Sequence, residues 1–204
     1  MTSIKPSTNH AETIYDEISK TYEEKYVAGG FQNSYMVDEF HAKTWWLWSR
    51  LKGRIVSLGV GSGQDIEILG HPDPADFTGY DISEGMLANA RQKFPAYADR
   101  LIHHDCEMRL PRGTQADVLV SMFGAPNYLG AERLLRHYDD LDCKGAFFVF
   151  YNEFYDDGLD IGTIYYSKQD LFEIFTPFFP TLNIIDLFPG SNYYVVMWNE
   201  TQDL

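Results

Sequence analysis

The chain has 204 residues, enough to bury one sizeable hydrophobic core and too few to indicate two full domains. Its 30 Asp and Glu residues outnumber 16 Lys and Arg residues, and the net charge of −14 disfavours nucleic-acid partners, because nonspecific binding to phosphates depends on clustered cations. Cys106 and Cys143 have no metal-ligand spacing, and no signal peptide or stretch of about 20 apolar residues is present, so a cytoplasmic protein with no metal and no membrane span is expected.

The N-terminal residues predict a loose start followed by a helix. Residues 1–12 are polar and are expected to stay loose. Apolar side chains then recur every four residues at Ile14, Ile18 and Tyr22, as on one face of a helix. This periodicity predicts a helix over about 13–29.

A second helix is predicted over about 35–51, and Gly53 provides its stop signal. This segment contains three tryptophans, Trp45, Trp46 and Trp48. Together with Tyr165 and Tyr166 they could line an acceptor pocket, although aromatic residues in such positions more often belong to the core. Residues 1–53 are therefore interpreted as a helical N-terminal cap.

Short strand-like runs then alternate with helical segments. The predicted strands are 54–58, 77–80, 101–103, 118–121 and 146–151. The predicted helices between them are 64–69, 84–94 and 131–141. Strict alternation indicates right-handed crossovers and a mostly parallel sheet that is covered on both faces, which is an open, doubly wound α/β fold.

The last segment breaks this alternation. After a predicted helix at 168–175, two strand-like runs follow at 182–188 and 193–198, and turn-forming residues occupy 189–192 between them. This pattern predicts a C-terminal antiparallel hairpin. We expect one domain over 1–204, in which the cap precedes an α/β core at 54–204.

A glycine-rich turn follows the first predicted strand. Residues 55–58 run directly into Gly59, Gly61 and Gly63, which allow positive φ and leave room for a ligand beside the next helix. A dinucleotide site would have its third glycine one place later, where Gln64 stands. The spacing therefore differs from the dinucleotide pattern.

Acidic residues follow the next two predicted strands. Asp81 stands at the tip of the second strand, where a carboxylate can accept both hydroxyls of a ribose. Asp105 and Cys106 follow the third strand at the same edge of the sheet. There Asp105 could accept a hydrogen bond from the amino group of an adenine.

These features at three successive strand ends resemble the class I S-adenosylmethionine-dependent methyltransferases, in particular their small-molecule branch. The resemblance covers about residues 54–151. Its motifs are Leu58-Gly59-Val60-Gly61-Ser62-Gly63, Gly79-Tyr80-Asp81-Ile82-Ser83 with Met86-Leu87 and Ala90-Arg91, Asp105, and Ala116-Asp117-Val118-Leu119-Val120-Ser121.

The resemblance implies a seven-stranded sheet that ends in an antiparallel hairpin, with S-adenosylmethionine as the cofactor. The glycines would lie under its methionine part, Asp81 on its ribose, and Ile82, Asp105 and Cys106 around its adenine. The remaining cofactor contacts expected on the same grounds are Met86, Ser121, Tyr15 and Tyr22. The two tyrosines, with Asp16, are similar to the tyrosine-bearing N-terminal helix that covers the cofactor in the small-molecule branch.

One position departs from the family pattern. The family usually has an acidic residue two places before the first glycine, and here that residue is Ser57. The cofactor's ammonium group has therefore either lost a partner or found one in Asp65.

The acceptor is expected to be a small molecule. The loop at 121–128 lacks the Asn-Pro-Pro-Tyr or Asp-Pro-Pro-Tyr pattern with which resembling enzymes methylate amide or adenine nitrogens. Transfer from a sulfonium is an in-line displacement, which requires a general base only if the acceptor must lose a proton. Candidate bases are His41, Tyr151 and Glu153.

Three alternatives stay open from the sequence. They are an enzyme that uses the cofactor without methyl transfer, such as an aminopropyl transferase or a lyase, a methyltransferase for protein or RNA, and a catalytically silent cofactor-binding module. The residues leave open both the acceptor atom and the oligomeric state.

Overall fold

The computed structural model describes residues 8–22, 24, 51–152, 162–179, 182–186 and 193–199. The predicted tryptophan cluster, His41, Glu153 and nearly all of the predicted helix at 35–51 lie outside these residues.

The first helix, α1, covers Thr8–Ser19. The expectation that residues 1–12 stay loose is therefore wrong from Thr8 onward, and the predicted helix end near 29 lies outside the described residues. The local sequence gave no helix signal before Thr13. In this part of α1, Glu12 lies 3.6 Å from the His103 imidazole at the end of β3.

Five strands form the parallel part of the sheet. They are β1 (Ile55–Leu58), β2 (Phe77–Asp81), β3 (Leu101–His103), β4 (Val118–Met122) and β5 (Gly145–Tyr151). Their order is β3-β2-β1-β4-β5, and every neighbouring pair is parallel. The predicted α/β fold with a parallel sheet is confirmed. The strand order reverses between β1 and β4, which is the position where open sheets of this kind bind ligands.

Two further strands extend the sheet beyond β5. They are β6 (Asn183–Asp186) and β7 (Tyr193–Asn199), and β7 lies antiparallel between β5 and β6. The connecting residues 187–192 lie outside the described part of the chain. The predicted turn that would make these strands a hairpin stays a prediction.

The remaining helices follow the strands closely. They are α2 (Gln64–Ile68), α3 (Glu84–Lys93), α4 (Ala125–Leu129), α5 (Ala131–Asp140) and α6 (Lys168–Phe175), and 3₁₀ turns cover Pro74–Asp76 and Pro95–Arg100. The short helix α4 was not predicted, because its single turn is too brief to show a hydrophobic period.

The sheet is buried on both faces, as the continuous apolar runs of its strands require. Every residue of β1 and β4 is buried. Polar side chains inside these strands therefore need hydrogen-bond partners within the protein. In the described part of the chain, no helix is both long enough and apolar enough to span a membrane.

Candidate active site

Two glycines of the turn after β1 are required by close packing. Both Gly59 and Gly63 have positive φ values, of 74° and 89°. A Cβ atom on Gly59 would lie 2.1 Å from the Cβ of Ala125, and one on Gly63 would lie 2.7 Å from the ring of Phe94. These two glycines let the turn approach α4 and α3.

Gly61 differs from its two neighbours. Its φ is also positive, at 53°, but a Cβ atom there would meet only the flexible end of Met86, at 3.4 Å. Gly61 therefore leaves an open side at the turn, as a backbone that approaches a ligand requires.

Asp81, at the end of β2, is held by the backbone on both sides. The Gly61 N–H donates to its Oδ2 at 2.8 Å, and the Ser83 N–H donates to its Oδ1 at 2.9 Å. Burial raises the pKa of Asp81, whereas these backbone hydrogen bonds lower it. A carboxylate has about four acceptor sites, so positions remain for the hydroxyls of a ligand.

The other residues expected near an adenine lie beside Asp81. Ile82 is half-buried and its carbonyl oxygen contacts the His103 imidazole at 2.7 Å. Asp105 accepts a hydrogen bond from the Glu107 N–H at 2.8 Å. Cys106 is buried, and burial raises the pKa of its thiol. The thiol therefore stays protonated and contributes an apolar wall.

Ser121 has a structural role in β4. Its hydroxyl is fully buried and donates to the Leu58 carbonyl oxygen at 2.7 Å, across β1 and β4. The hydrogen of this hydroxyl is therefore engaged inside the sheet. Its predicted contact with the cofactor stays a prediction.

Asp65 and Ser57 meet beneath the glycine turn. The Ser57 hydroxyl donates to Oδ2 of Asp65, and both side chains are buried. Burial raises the pKa of Asp65 to about 7. The position that departs from the family pattern is thus in direct contact with a carboxylate from α2.

Helix α1 is fastened to the segment that follows β2. Oδ1 of Asp16 accepts hydrogen bonds from the Ser83 hydroxyl at 2.6 Å and from the Gly85 N–H at 3.0 Å. The hydrogen bond from Ser83 lowers the pKa of Asp16. Ser83 also caps α3 by accepting the Met86 N–H at 3.1 Å. The sequence signal for Ser83 was its position before a helix, whereas Asp16 offered no signal for this contact.

At its other side α1 reaches the loop after β4. The Tyr15 hydroxyl donates to the Tyr128 hydroxyl at 2.6 Å, and the ring centroids are 5.8 Å apart. Burial raises the pKa of Tyr15 well above its usual value, so its phenol is neutral near pH 7. Tyr22 is half-buried close to Tyr15. With the Glu12 contact to His103, α1 spans the carboxyl ends of β3, β2 and β4.

Asn127 is a residue that the sequence reasoning did not identify as structural. Its side-chain amide donates to the carbonyl oxygens of Tyr151 at 3.0 Å and Ile164 at 2.6 Å, and its Oδ1 accepts the Tyr151 N–H at 2.8 Å. Asn127 is fully buried and joins α4 to Tyr151 at the end of β5 and to Ile164. A lone asparagine after a proline carries no sequence signal for such contacts.

Of the three candidate bases, only Tyr151 is described. It is half-buried at the end of β5, and Asn127 fixes its backbone. Tyr166 belongs to the core, where its ring lies 5.2 Å from Phe150 and its hydroxyl accepts the Ala131 N–H at 3.0 Å. Across the described ranges, no group of His, Cys, Asp and Glu residues is arranged to hold a metal ion.

Residues 55–141 match the family model described as a methyltransferase domain. A search of curated proteins found no match. The matched segment begins with β1 and includes Asp81, Asp105 and the loop after β4.

Several solved structures share the fold over most of their length. The DhpI complex with SAM and HEP has a TM-score of 0.69 at 14% identity and covers 96% of this chain and 99% of its own. The magnesium protoporphyrin IX methyltransferase ChlM from Synechocystis PCC 6803, with bound SAM, has a TM-score of 0.63 at 14% identity and covers 97% and 98%. A methyltransferase from Clostridium acetobutylicum ATCC 824, described as S-adenosylmethionine-dependent, has a TM-score of 0.58 at 15% identity and covers 90% and 98%.

At these identities the likeness to the solved structures concerns the fold. Together with the matched segment, it confirms the resemblance on which the enzyme class and the cofactor were predicted.

Proposed function

We propose that this chain, an S-adenosylmethionine-dependent methyltransferase of class I, transfers the methyl group of its cofactor to a small-molecule acceptor. The observation that carries the proposal is the position of α1 across the carboxyl ends of β3, β2 and β4. A helix in this place covers the cleft in which open α/β sheets bind ligands, and a covered cleft admits a small acceptor more readily than a macromolecular surface.

The glycine turn and Asp81 fit the proposed cofactor. Gly61 leaves an open side at the turn, and Asp81 keeps acceptor sites for two ribose hydroxyls. Ser62 Oγ is buried and has no hydrogen-bond partner among the described residues, so a polar ligand in the turn could use it. Ile82, Met86, Asp105 and Cys106 would surround the adenine, while Ser121, Tyr15 and Tyr22 complete the proposed contacts.

The same proposal includes the domain organisation. We assign residues 54–204 to one catalytic core with seven strands and a C-terminal hairpin, and residues 1–53 to its cap. The hydrogen bond from Ser83 to Asp16 holds α1 beside the end of β2, and this position over the proposed cofactor cleft supports the division.

The nature of the acceptor is supported by charge and by comparison. The net charge of −14 opposes binding to a nucleic-acid backbone. One neighbour is named for magnesium protoporphyrin IX, which is a small molecule. The acceptor atom is left open.

Catalysis in this site depends mainly on alignment. The bound cofactor supplies a methyl group that is already activated on a sulfonium, so holding an acceptor in line can supply up to roughly 7–11 kcal/mol of barrier lowering. Tyr15 is neutral near pH 7 and serves as a hydrogen-bonding wall, not as a base. If the acceptor must lose a proton, Tyr151 is the described candidate, beside His41 and Glu153.

The first test is calorimetric titration with S-adenosylmethionine and S-adenosylhomocysteine. We expect saturable binding that Asp81→Ala abolishes, because the ribose loses its carboxylate. Asp76→Ala is a matched control, since Asp76 is exposed near the opposite end of β2. Absence of binding by the wild-type protein would contradict the cofactor assignment.

The second test identifies the reaction. Incubation with S-adenosylmethionine labelled in its methyl group and a panel of small acceptors should transfer label to an acceptor and release S-adenosylhomocysteine. Release of 5′-methylthioadenosine instead would favour an enzyme that uses the cofactor without methyl transfer. This alternative stays open because Ser57 stands where the methyltransferase family usually has an acidic residue. Labelled protein or RNA would favour a macromolecular acceptor, and binding without turnover would favour a silent module.

A further inference from the structure

Helix α5 carries two side chains that bind consecutive carbonyl groups of the segment after β3. Nε2 of His137 lies 2.8 Å from the carbonyl oxygen of Cys106. The Arg133 guanidinium donates to the carbonyl oxygen of Glu107. Positions four apart on a helix lie on the same face, so both contacts are made from one side of α5. The helix therefore holds the backbone of residues 106 and 107 at two neighbouring points.

His137 is the buried member of this pair, with 3% of its surface exposed. It must donate the hydrogen bond to Cys106, because a carbonyl oxygen can only accept one. Burial lowers the pKa of His137, whereas the hydrogen bond to the Cys106 carbonyl raises it, and the net shift is downward. The imidazole is therefore neutral near pH 7 and carries its proton on Nε2.

The segment that α5 holds lies against the ends of β1 and β2. Burial raises the pKa of the Cys106 thiol most, the Asp81 carboxylate raises it further, and the Gly59 N–H lowers it. The thiol must lie close to both groups for them to have these effects. Cys106 also belongs to the same buried apolar cluster as Leu58 and Tyr80, which are residues of these two strands. Residue 106 therefore borders the proposed cofactor cleft.

The peptide group that His137 binds also holds the carboxylate of Asp105. The Cys106 carbonyl and the Glu107 N–H belong to one planar peptide group. Oδ1 of Asp105 accepts the Glu107 N–H at 2.8 Å, and the Asp105 carbonyl oxygen accepts the Met108 N–H at 3.0 Å. A rotation of this peptide group would move its N–H away from Asp105. The hydrogen bond from His137 therefore fixes the orientation of the Asp105 carboxylate through the peptide between them.

We propose that His137 is a positioning residue for recognition of the cofactor's base. Its hydrogen bond holds the peptide between residues 106 and 107 in the orientation in which Asp105 accepts a hydrogen bond from the amino group of adenine, and Arg133 supports the same segment. His137 does not touch the cofactor. This inference rests on the proposed function, since it concerns the same cofactor.

The test compares two ligands that differ only in the base. S-adenosylhomocysteine carries the 6-amino group of adenine, whereas S-inosylhomocysteine has a carbonyl oxygen in its place. The wild-type protein should bind S-adenosylhomocysteine on the order of 10- to 100-fold more tightly, as expected for one hydrogen bond to a charged group. We call the ratio of the two Kd values the base selectivity. Partial unfolding does not change this ratio, because it weakens the apparent binding of both ligands equally.

Three variants separate the hydrogen bond from its surroundings. His137→Leu removes the donor and keeps the position apolar, so the base selectivity should fall below about threefold. His137→Gln keeps an N–H donor with the reach of Nε2, and its base selectivity should stay within about threefold of wild type. Arg133→Met removes the second support at a half-buried position and should lower the base selectivity by about 2- to 5-fold.

Tyr138→Leu is the matched control. Tyr138 is the buried neighbour of His137 on α5, and its ring packs against Phe179 at a centroid distance of 4.9 Å. This variant should lower the stability of the fold and leave the base selectivity unchanged.

Four outcomes would overturn the inference. Wild-type base selectivity in His137→Leu, or a loss that His137→Gln does not restore, would overturn it and leave the proposed function intact. If His137→Leu does not fold, unchanged base selectivity in Arg133→Met would overturn it in the same way. Equal binding of both ligands by the wild-type protein would show that the amino group is not read. If the wild-type protein bound neither ligand, the proposed function would fall together with the inference.

Discussion

The proposed site has a half for the cofactor and a half for the acceptor, and the two halves are built differently. The cofactor half, formed by the ends of β1 and β2, consists of backbone N–H groups and short side chains close to one another in sequence, such as Gly61 and Ser83 around Asp81. The acceptor half, formed by the ends of β4 and β5, depends on Asn127, whose partners Tyr151 and Ile164 are distant in sequence.

This difference explains why one half carries a recognisable motif and the other does not. A turn that cradles a ligand with its backbone constrains which residue types can stand at fixed spacing, so the constraint is visible in the sequence. A loop held by one buried side-chain amide requires a particular residue type only at that one position of the sequence. Its neighbours remain free to adapt to a particular acceptor.

The largest expected effect concerns the contact that joins the two halves. Gly59→Ala would place a Cβ atom 2.1 Å from Ala125 at a positive φ, and it should lower the free energy of unfolding by about 3 kcal/mol or more. Gly61→Ala meets only Met86, at 3.4 Å, and should lower it by about 1 kcal/mol while weakening cofactor binding. Urea unfolding measures both values. Equal losses of stability would contradict the distinct roles of the two glycines.

The next effect tests the acceptor half alone. Asn127→Ala leaves the Tyr151 N–H and two carbonyl oxygens without their partner, and it should lower the free energy of unfolding by about 2–4 kcal/mol. Asn89→Ala, which removes a single hydrogen bond to the Ser19 carbonyl oxygen, is the control and should cost less than about 1.5 kcal/mol. Calorimetric binding of S-adenosylhomocysteine by Asn127→Ala should stay close to wild type. A large loss of that affinity would show that the halves are not independent.

A smaller effect concerns the cofactor half and is measured as the pH dependence of the free energy of unfolding. Burial raises the folded-state pKa of Asp65 to about 7 from the ordinary aspartate value of about 3.9, so the wild-type fold loses stability as the pH rises between these values. Asp65→Asn should therefore increase the free energy of unfolding by about 1–3 kcal/mol at pH 8, with a gain that shrinks toward pH 4. Unfolding series at several pH values, with Glu67→Gln for comparison, provide the measurement. A gain that does not vary with pH would contradict burial as its cause.

The smallest effect concerns the attachment of α1. Asp16→Ala removes the acceptor of the Ser83 hydroxyl and the Gly85 N–H, so it should weaken binding of S-adenosylhomocysteine by about 3- to 10-fold. The hydrogen bond from Ser83 lowers the pKa of Asp16, so this attachment is present above the ordinary range of an aspartate and is lost only as the pH falls through the lowered value. Glu17→Ala, at an exposed position of the same helix, should change nothing. Equal binding of S-adenosylhomocysteine by both variants would contradict a contribution of α1 to the cofactor site.

The parallel sheet followed from the sequence because its strands are short apolar runs that alternate with helices, and both patterns are local. Helix α4 and the start of α1 were missed for the opposite reason. Helix α4 is a single turn that begins beside a proline, and the polar first residues of α1 carry no apolar period, although Glu12 contacts the distant His103.

The sequence by itself determined the α/β fold, the resemblance to the methyltransferases and the positions of the glycine turn and Asp81. Those features depend on residue type at fixed spacing along the chain. Only the tertiary structure decided at which glycine of the turn a Cβ atom would meet no close contact, that Ser121 is engaged inside the sheet, and that Asp65 lies against Ser57. These facts depend on the distance between side chains from different elements, which packing sets and no local pattern records.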